Sequence, residues 1–207
     1  MKPVIPLFPL KLVVFPLSRY PLHIFEKRYR RMVNMCLDEN NGFGIIASFN
    51  GEFSKVGTYV VITKVLKKYL TGEMDIIIEG KERFLMTSFV MQSDGYYQAN
   101  VEEYNDITSS VDCGLLNEVK TKFVNIIDRV NYKLEESFWD NYNKSYMKSY
   151  KIAEKSGLSI QQQQTLLTIQ DESERIKFLI EYFEKLVENL NDNPALKNII
   201  LGDGYIN

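Results

Sequence analysis

Thiols are scarce in this chain, which carries two cysteines, Cys36 and Cys113, in 207 residues. Two are too few for a disulfide scaffold, so the composition points to a reducing compartment, and a cytoplasmic location is the expectation. Histidine is scarcer still. His23 stands alone, and with the two thiols it lacks the close pairwise spacing of structural zinc sites. No apolar run reaches the roughly 18 residues that a bilayer span requires, so no membrane association is expected. The opening, MKPVIPLFPLKLVVFPL, has the apolar look of a secretion signal, but four prolines and Lys11 interrupt it and no small-residue cleavage site follows. An excess of one charge is missing as well: 25 Lys plus Arg face 27 Asp plus Glu, for a net charge of -2. Residues 1–108 carry 13 basic and 12 acidic side chains, so neither half offers a polyanion a global attractive field.

What is present builds a core. Hydrophobic residues make up 45% of the chain and aromatic residues 13%, the profile of a folded domain rather than a disordered one. From about 3 to 104 the pattern reads as short strands: VIPLFPLKLVVF, then 43–49, 58–70, 74–80, 82–92 and 96–104, separated by Gly-containing turns. Because proline cannot donate to a ladder, Pro3, Pro6 and Pro9 are placed at edges or bends, with 10–15 pairing more regularly. Five or six antiparallel strands are expected, interrupted by one helix over 25–37. Its apolar face is Phe25, Tyr29, Met32, Val33 and Cys36, and NNG at 40–42 ends it.

After 107–114 the apolar period changes from two to 3.6. Leu115 to Leu134 predicts one long amphipathic helix, and two or three more follow. Ser159 with Gln162 and Asp171 with Glu174 form capping-box patterns, and Gly157 reads as a left-handed stop. The segment 139–151 has weak periodicity and reads either as a loop or as a connector. The expected division is a β-rich domain over 1–108 and a helical one over 112–207, with helices to about 192 and a frayed tail after Pro194.

No chemistry is legible. There is no GxSxG elbow, no GxxxxGK[ST] loop and no metal-ligand spacing. Catalytic residues, cofactors and metals are therefore expected to be absent. His23 reads as a residue at the mouth of the first helix. Glu135/Glu136 and Asp171/Glu172/Glu174 read as carboxylates at helix ends or solvent faces, where an N-terminal position favours negative charge. One cluster stands out: Lys27, Arg28, Arg30 and Arg31 place four cations in five residues, with 27, 30 and 31 on one helix face. That face could meet RNA phosphates or an acidic peptide, or could simply be solvated.

At these residues the chain resembles the amino-terminal, substrate-binding domain of the Lon protease family. IPLFPLKLVVFPLSRYPLHIFEKRYRRMV (5–33) is similar to that family's opening, 53–86 to its VGT strand and following hairpin, and 158–190 to its D-xx-ER-xxxL helical segment. The resemblance implies an α+β fold: a PUA-like, strongly bent β-rich pseudo-barrel followed by a helical subdomain. It also implies that Phe8, Phe15, Phe25 and Tyr29 pack between helix and sheet. The ATPase and protease modules of full-length Lon enzymes have no counterpart in 207 residues, so a free-standing, non-catalytic module that binds protein or peptide is expected. Two surfaces are open to it: strand addition at an edge such as 10–15, or an apolar strip between the sheet and the 115–137 helix. RNA or nucleotide binding through the 27–31 face is the alternative.

Overall fold

The computed structural model describes residues 3–49, 51–107 and 110–192, and the expected frayed tail lies outside them. The chain divides into two compact units, Met1–Asn105 and Asp106–Asn207.

The first unit contains, among the described residues, seven strands and one helix: β1 (Val4–Leu10), β2 (Arg19–Ile24), α1 (Lys27–Asp38), β3 (Phe43–Phe49), β4 (Glu52–Phe53), β5 (Val56–Lys68), β6 (Met74–Met91) and β7 (Tyr97–Glu103). Strands pair in the order β1-β7-β6-β5-β3, and β1 returns to pair with β3. The ring is therefore closed, which removes most strand edges. Its seam is parallel, with Leu7 opposite Gly44 and Leu10 opposite Ala47. A purely antiparallel arrangement was the expectation, but parallel pairing joins strands with a long connection between them, and here the connection holds β2 and α1.

Two predicted strands, 74–80 and 82–92, are one continuous β6. Gly80 is not a turn: a Cβ there would sit 2.3 Å from the Phe15 carbonyl oxygen, so glycine lets another backbone lie against the strand. Leu17 N–H donates to Gly80 C=O at 2.9 Å and Gly80 N–H to Ser18 C=O at 2.9 Å. These bonds also correct the expected 10–15 strand. β1 ends at Leu10, and Val13, Val14 and Phe15 are buried. The segment is a plug against β6 and offers no free edge.

β2 was not foreseen, because Pro21 and its charges weaken the strand pattern. It pairs with β6 alone among the described strands, from Arg19 opposite Glu79 to Ile24 opposite Met74. Since Ser18 C=O accepts from Gly80 N–H, alternation turns the backbone groups of Arg19, Pro21 and His23 away from β6. Proline thus occupies a position where no ladder donor is needed.

α1 buries Tyr29, Met32, Val33 and Cys36, the expected stripe, against Phe8, Tyr20, Ile24, Phe43 and Ile76. Phe25 is the exception. It is 59% exposed, because it precedes the N-cap Glu26 and so lies outside the helical phase that places Tyr29. Its ring stacks on His23 instead, 6.0 Å between centroids. A second, smaller core holds Ile5, Leu7, Ile46, Phe84, Ala99 and Val101. Phe84 reaches it because Gly57 lies opposite in β5, where a Cβ would come within 2.6 Å of the ring.

The second unit holds α2 (Cys113–Arg129), α3 (Glu136–Lys144), α4 (Lys148–Ala153), α5 (Ile160–Thr168) and α6 (Glu172–Asp192). α2 stops before the predicted Leu134: Val130 caps it and Asn131 turns to φ 54°. The weakly periodic 139–151 segment is mostly helical. Residues 145–147 interrupt it, and Lys148, the first residue of α4, turns its ammonium back onto the end of α3, donating to the carbonyls of Tyr142, Asn143 and Ser145 at 2.8, 2.9 and 2.8 Å. These carbonyls lie at a helix end, where few backbone donors are at hand, and a cation there also suits the dipole. Ser159 and Gln162 form the expected reciprocal capping box, Asp171 accepts from Glu174 N–H at 3.1 Å, and Gly157 has φ +67°. Phe123 joins Phe138, Trp139 and Phe183 in one aromatic core. No described helix is long and apolar enough to cross a membrane.

Candidate interaction surfaces

The four cations of α1 sit in its first two turns, where the helix dipole disfavours positive charge. Tertiary partners outweigh that. Arg28 pairs with Glu26 at 2.8 Å and lies over the Tyr29 ring at 4.6 Å. Arg30 donates to the Thr71 carbonyl in the β5–β6 turn, and Arg31 to Asp94 in the β6–β7 turn at 2.8 Å. Tyr96 adds a contact from the second turn, its hydroxyl 3.8 Å from Met35 Sδ. Neighbouring arginines thus tie α1 to both ends of β6, which the bend of the barrel brings under one helix. Among the described residues only Lys27 of the four has no hydrogen-bond or ion-pair partner.

A different surface is apolar. Phe53, Phe89 and Tyr97 form a closed triangle of ring contacts, with centroids 5.2, 5.3 and 5.6 Å apart. Met91 is opposite Tyr97 and Phe89 opposite Ala99, so all project from one face of the β6–β7 ribbon. Phe89 and Met91 are exposed, while Phe53 and Tyr97 pack against the second core. The ribbon's other face is mixed, with Asn100 donating to Ser88 at 2.8 Å and the exposed Val90 opposite Gln98. This patch is the second core running out to solvent. The sequence reading missed it because a one-residue shift between Met86 and Ser88 flips the alternation. The apolar spacing from Phe84 to Met91 carries the signal only when that bulge is known.

His23 lies on β2, four residues before α1 begins at Lys27. Its Nδ1 is 2.7 Å from Asp75 Oδ1, and the Tyr69 hydroxyl donates to Asp75 Oδ2 at 2.8 Å. The hydrogen bonds from His23 first, and then from Tyr69, hold the Asp75 carboxyl below its ordinary range. A carboxylate only accepts, so Nδ1 carries the proton. Nearby, the Lys81 ammonium, and to a lesser degree Arg19, hold Glu79 low against the opposing effect of burial. Among the described residues no group of three or more His, Cys, Asp or Glu side chains is placed to hold a metal ion.

In the helical unit one carboxylate departs from the expected pattern. Glu172 is at a helix end as predicted but is buried, together with Arg175, which is 0% exposed. Arg175 Nε donates to Ser149 Oγ and Glu172, Nη1 to Asp106 at 3.0 Å and Ile169 C=O at 2.8 Å, and Nη2 to Asp106 and Glu172. All five guanidinium protons are used. Burial alone would lower its pKa, yet the hydrogen bond to Asp106, with Tyr150 and Glu172, raises it above the ordinary arginine value. This is a structural pin. A groove of about 300 Å³ between α2 and α6 is lined by Lys122, Phe183 and Val187, and Lys122 is paired with Glu184 at 2.9 Å.

Comparison with known proteins follows the fold. Two solved structures superpose over most of the chain. A Lon N-terminal domain protein from Xanthomonas campestris gives a TM-score of 0.68 at 22% identity, over 86% of this chain and 98% of that one. The N-terminal domain of the Mycobacterium avium complex Lon protease gives 0.69 at 16% identity, over 87% and 98%. Lon protease 2 of Syntrophobacter fumaroxidans is 24% identical over 191 residues, which is 86% of this chain but 24% of that protein. The matching region is thus about a quarter of the curated relative. The profile of the ATP-dependent protease La (LON) substrate-binding domain matches residues 4–185. With the closed, bent β-ring and the helices that follow, the chain belongs to the LON substrate-binding domain family.

Proposed function

We propose that this chain is a non-catalytic module that binds exposed apolar segments of other proteins through the Phe53–Phe89–Tyr97 triangle and Met91. The observation that carries the reading is an aromatic cluster, continuous with a core, whose outer members remain open to water. Aromatic anchors of this kind contribute most of the energy in protein interfaces. The family's description as a substrate-binding domain supports the reading, and so does the match to a non-catalytic part of a protease. RNA binding through 27–31 has less support, since Arg28, Arg30 and Arg31 already hold intrachain partners.

Reduced, alkylated lysozyme is a suitable probe, because its positive charge keeps it away from basic surfaces. Its binding to the double variant Phe89→Asp, Met91→Asp is expected to weaken about tenfold or more, matching the loss of one strong anchor. Unchanged affinity in a variant with unaltered circular dichroism would remove this patch as the site.

A further inference from the structure

On the outer face of β2, β6 and β5, three rings stand in a row. Phe25 stacks on His23 at 6.0 Å and 18°, and His23 meets Tyr69 edge-on at 6.0 Å and 87°. Lys67 Nζ lies 4.3 Å above the Tyr69 ring. Asp75 fixes the row from beneath through its bonds to His23 and Tyr69. Leu70, the next residue, is fully exposed at the tip of the β5–β6 hairpin. This tip is held in place: Tyr69 N–H donates to Glu73 C=O and Gly72 N–H to Tyr69 C=O, both at 2.9 Å, while Arg30 grips the Thr71 carbonyl from α1. Contacts from three elements therefore keep a leucine in water instead of letting the loop fold over it.

The charges around this feature are unbalanced. Lys67 stands opposite Asp75 on this outer face, Lys68 opposite Met74 on the other face of the hairpin, and Lys27 begins α1 two residues beyond Phe25; among the described residues none is within ion-pair distance of a carboxylate. Asp75 is engaged by His23 and Tyr69 and also offsets part of the charge of Lys67 opposite it, while Glu73 lies 4.0 Å from His23 Nε2. An apolar tip and an aromatic row inside a lysine rim match an apolar side chain flanked by acids.

We propose that this hairpin tip docks an acidic segment of a partner protein, with an apolar side chain set against Leu70 and carboxylates against Lys67 and Lys68, which flank the tip from its two faces. It is separate from the apolar triangle. A membrane fits less well, since one leucine and a few lysines give only marginal bilayer binding. Single-stranded RNA fits less well because stacking platforms need open ring faces, and here Lys67 covers Tyr69 while Phe25 covers His23.

The test uses the full chain and four probes in fluorescence titrations: a labelled 12-residue peptide alternating Glu or Asp with Leu or Phe, its lysine counterpart, oligouridylate, and vesicles of phosphatidylcholine with phosphatidylglycerol. The acidic peptide is expected to bind and to shift the proton resonances of His23, the chain's single imidazole. The Lys67→Glu, Lys68→Glu double variant and, separately, Leu70→Ser should each weaken it at least tenfold without changing circular dichroism, while the Phe89→Asp, Met91→Asp variant binds as before. Absence of binding, equal binding of the lysine peptide, indifference to both tip variants, or binding of oligouridylate or vesicles in place of the peptide would overturn the proposal.

Discussion

Arg175 and Arg31 carry the same guanidinium into opposite surroundings. Arg175 is sealed in the helical unit with every proton matched. Arg31 reaches through solvent to one exposed carboxylate on a hairpin turn. The difference teaches that a charged side chain's role follows from burial and from how fully its hydrogen bonds are met. In water the alternative to a partner is hydration, so the pair adds little. In a dry interior the alternative is an orphaned charge, so removal is severe even where the intact network adds little net stability.

The sharpest way to break this contrast is Arg175→Met, which keeps volume but leaves Glu172 and Asp106 without their cation. A loss of about 3–5 kcal/mol is expected in denaturant melts, the usual result of removing one partner of a buried pair. A change under about 1 kcal/mol would show that water reaches the network.

Phenylalanines sharpen the comparison without charge. Phe15 is 1% exposed and Phe25 59%, although both belong to the opening motif. Phe15→Ala should destabilise by about 3–5 kcal/mol through lost burial and a cavity, whereas Phe25→Ala should stay near the ±0.5 kcal/mol typical of surface sites. Equal effects would mean that Phe25 is covered in solution.

The smallest effect is expected from Arg31→Ala, about 0.2–1 kcal/mol and further reduced in high salt, as for an exposed ion pair. A salt-independent loss of more than about 2 kcal/mol would show that the clamp on the β6–β7 turn is buried.

The same distinction explains what could be read from the sequence. The stripe Tyr29, Met32, Val33, Cys36 and the Ser159–Gln162 capping box depend on neighbours within a few residues, and both stand in the structure as expected. The parallel β1–β3 seam, the 11–15 plug against Gly80 and the Arg175–Asp106 pair, 69 residues apart, depend on partners that no local period reveals. The candidate surfaces fall mainly in the second class. Phe89 and Met91 face outward with Tyr97 only because of a bulge, and the Phe25–His23–Tyr69 row joins the end of β2 to the β5–β6 turn, more than forty residues on. The basic cluster was conspicuous in the sequence, yet two of its arginines act as ties to turns about forty and sixty residues away.

The closed ring also imposes an order of events. Val4 pairs with Asn100 and Leu7 with Tyr97, so the first described strand waits for the last strand of its unit. On the ribosome, β1 must remain without that partner until β7 has emerged, and in refolding the same closure carries the loop entropy of almost the entire unit. The helical unit has a long pairing of its own, Asp106 with Arg175 69 residues on, but its helices are held by hydrogen bonds between near neighbours before that partner arrives, so closure of the β1–β7 junction carries the larger share of the non-local cost.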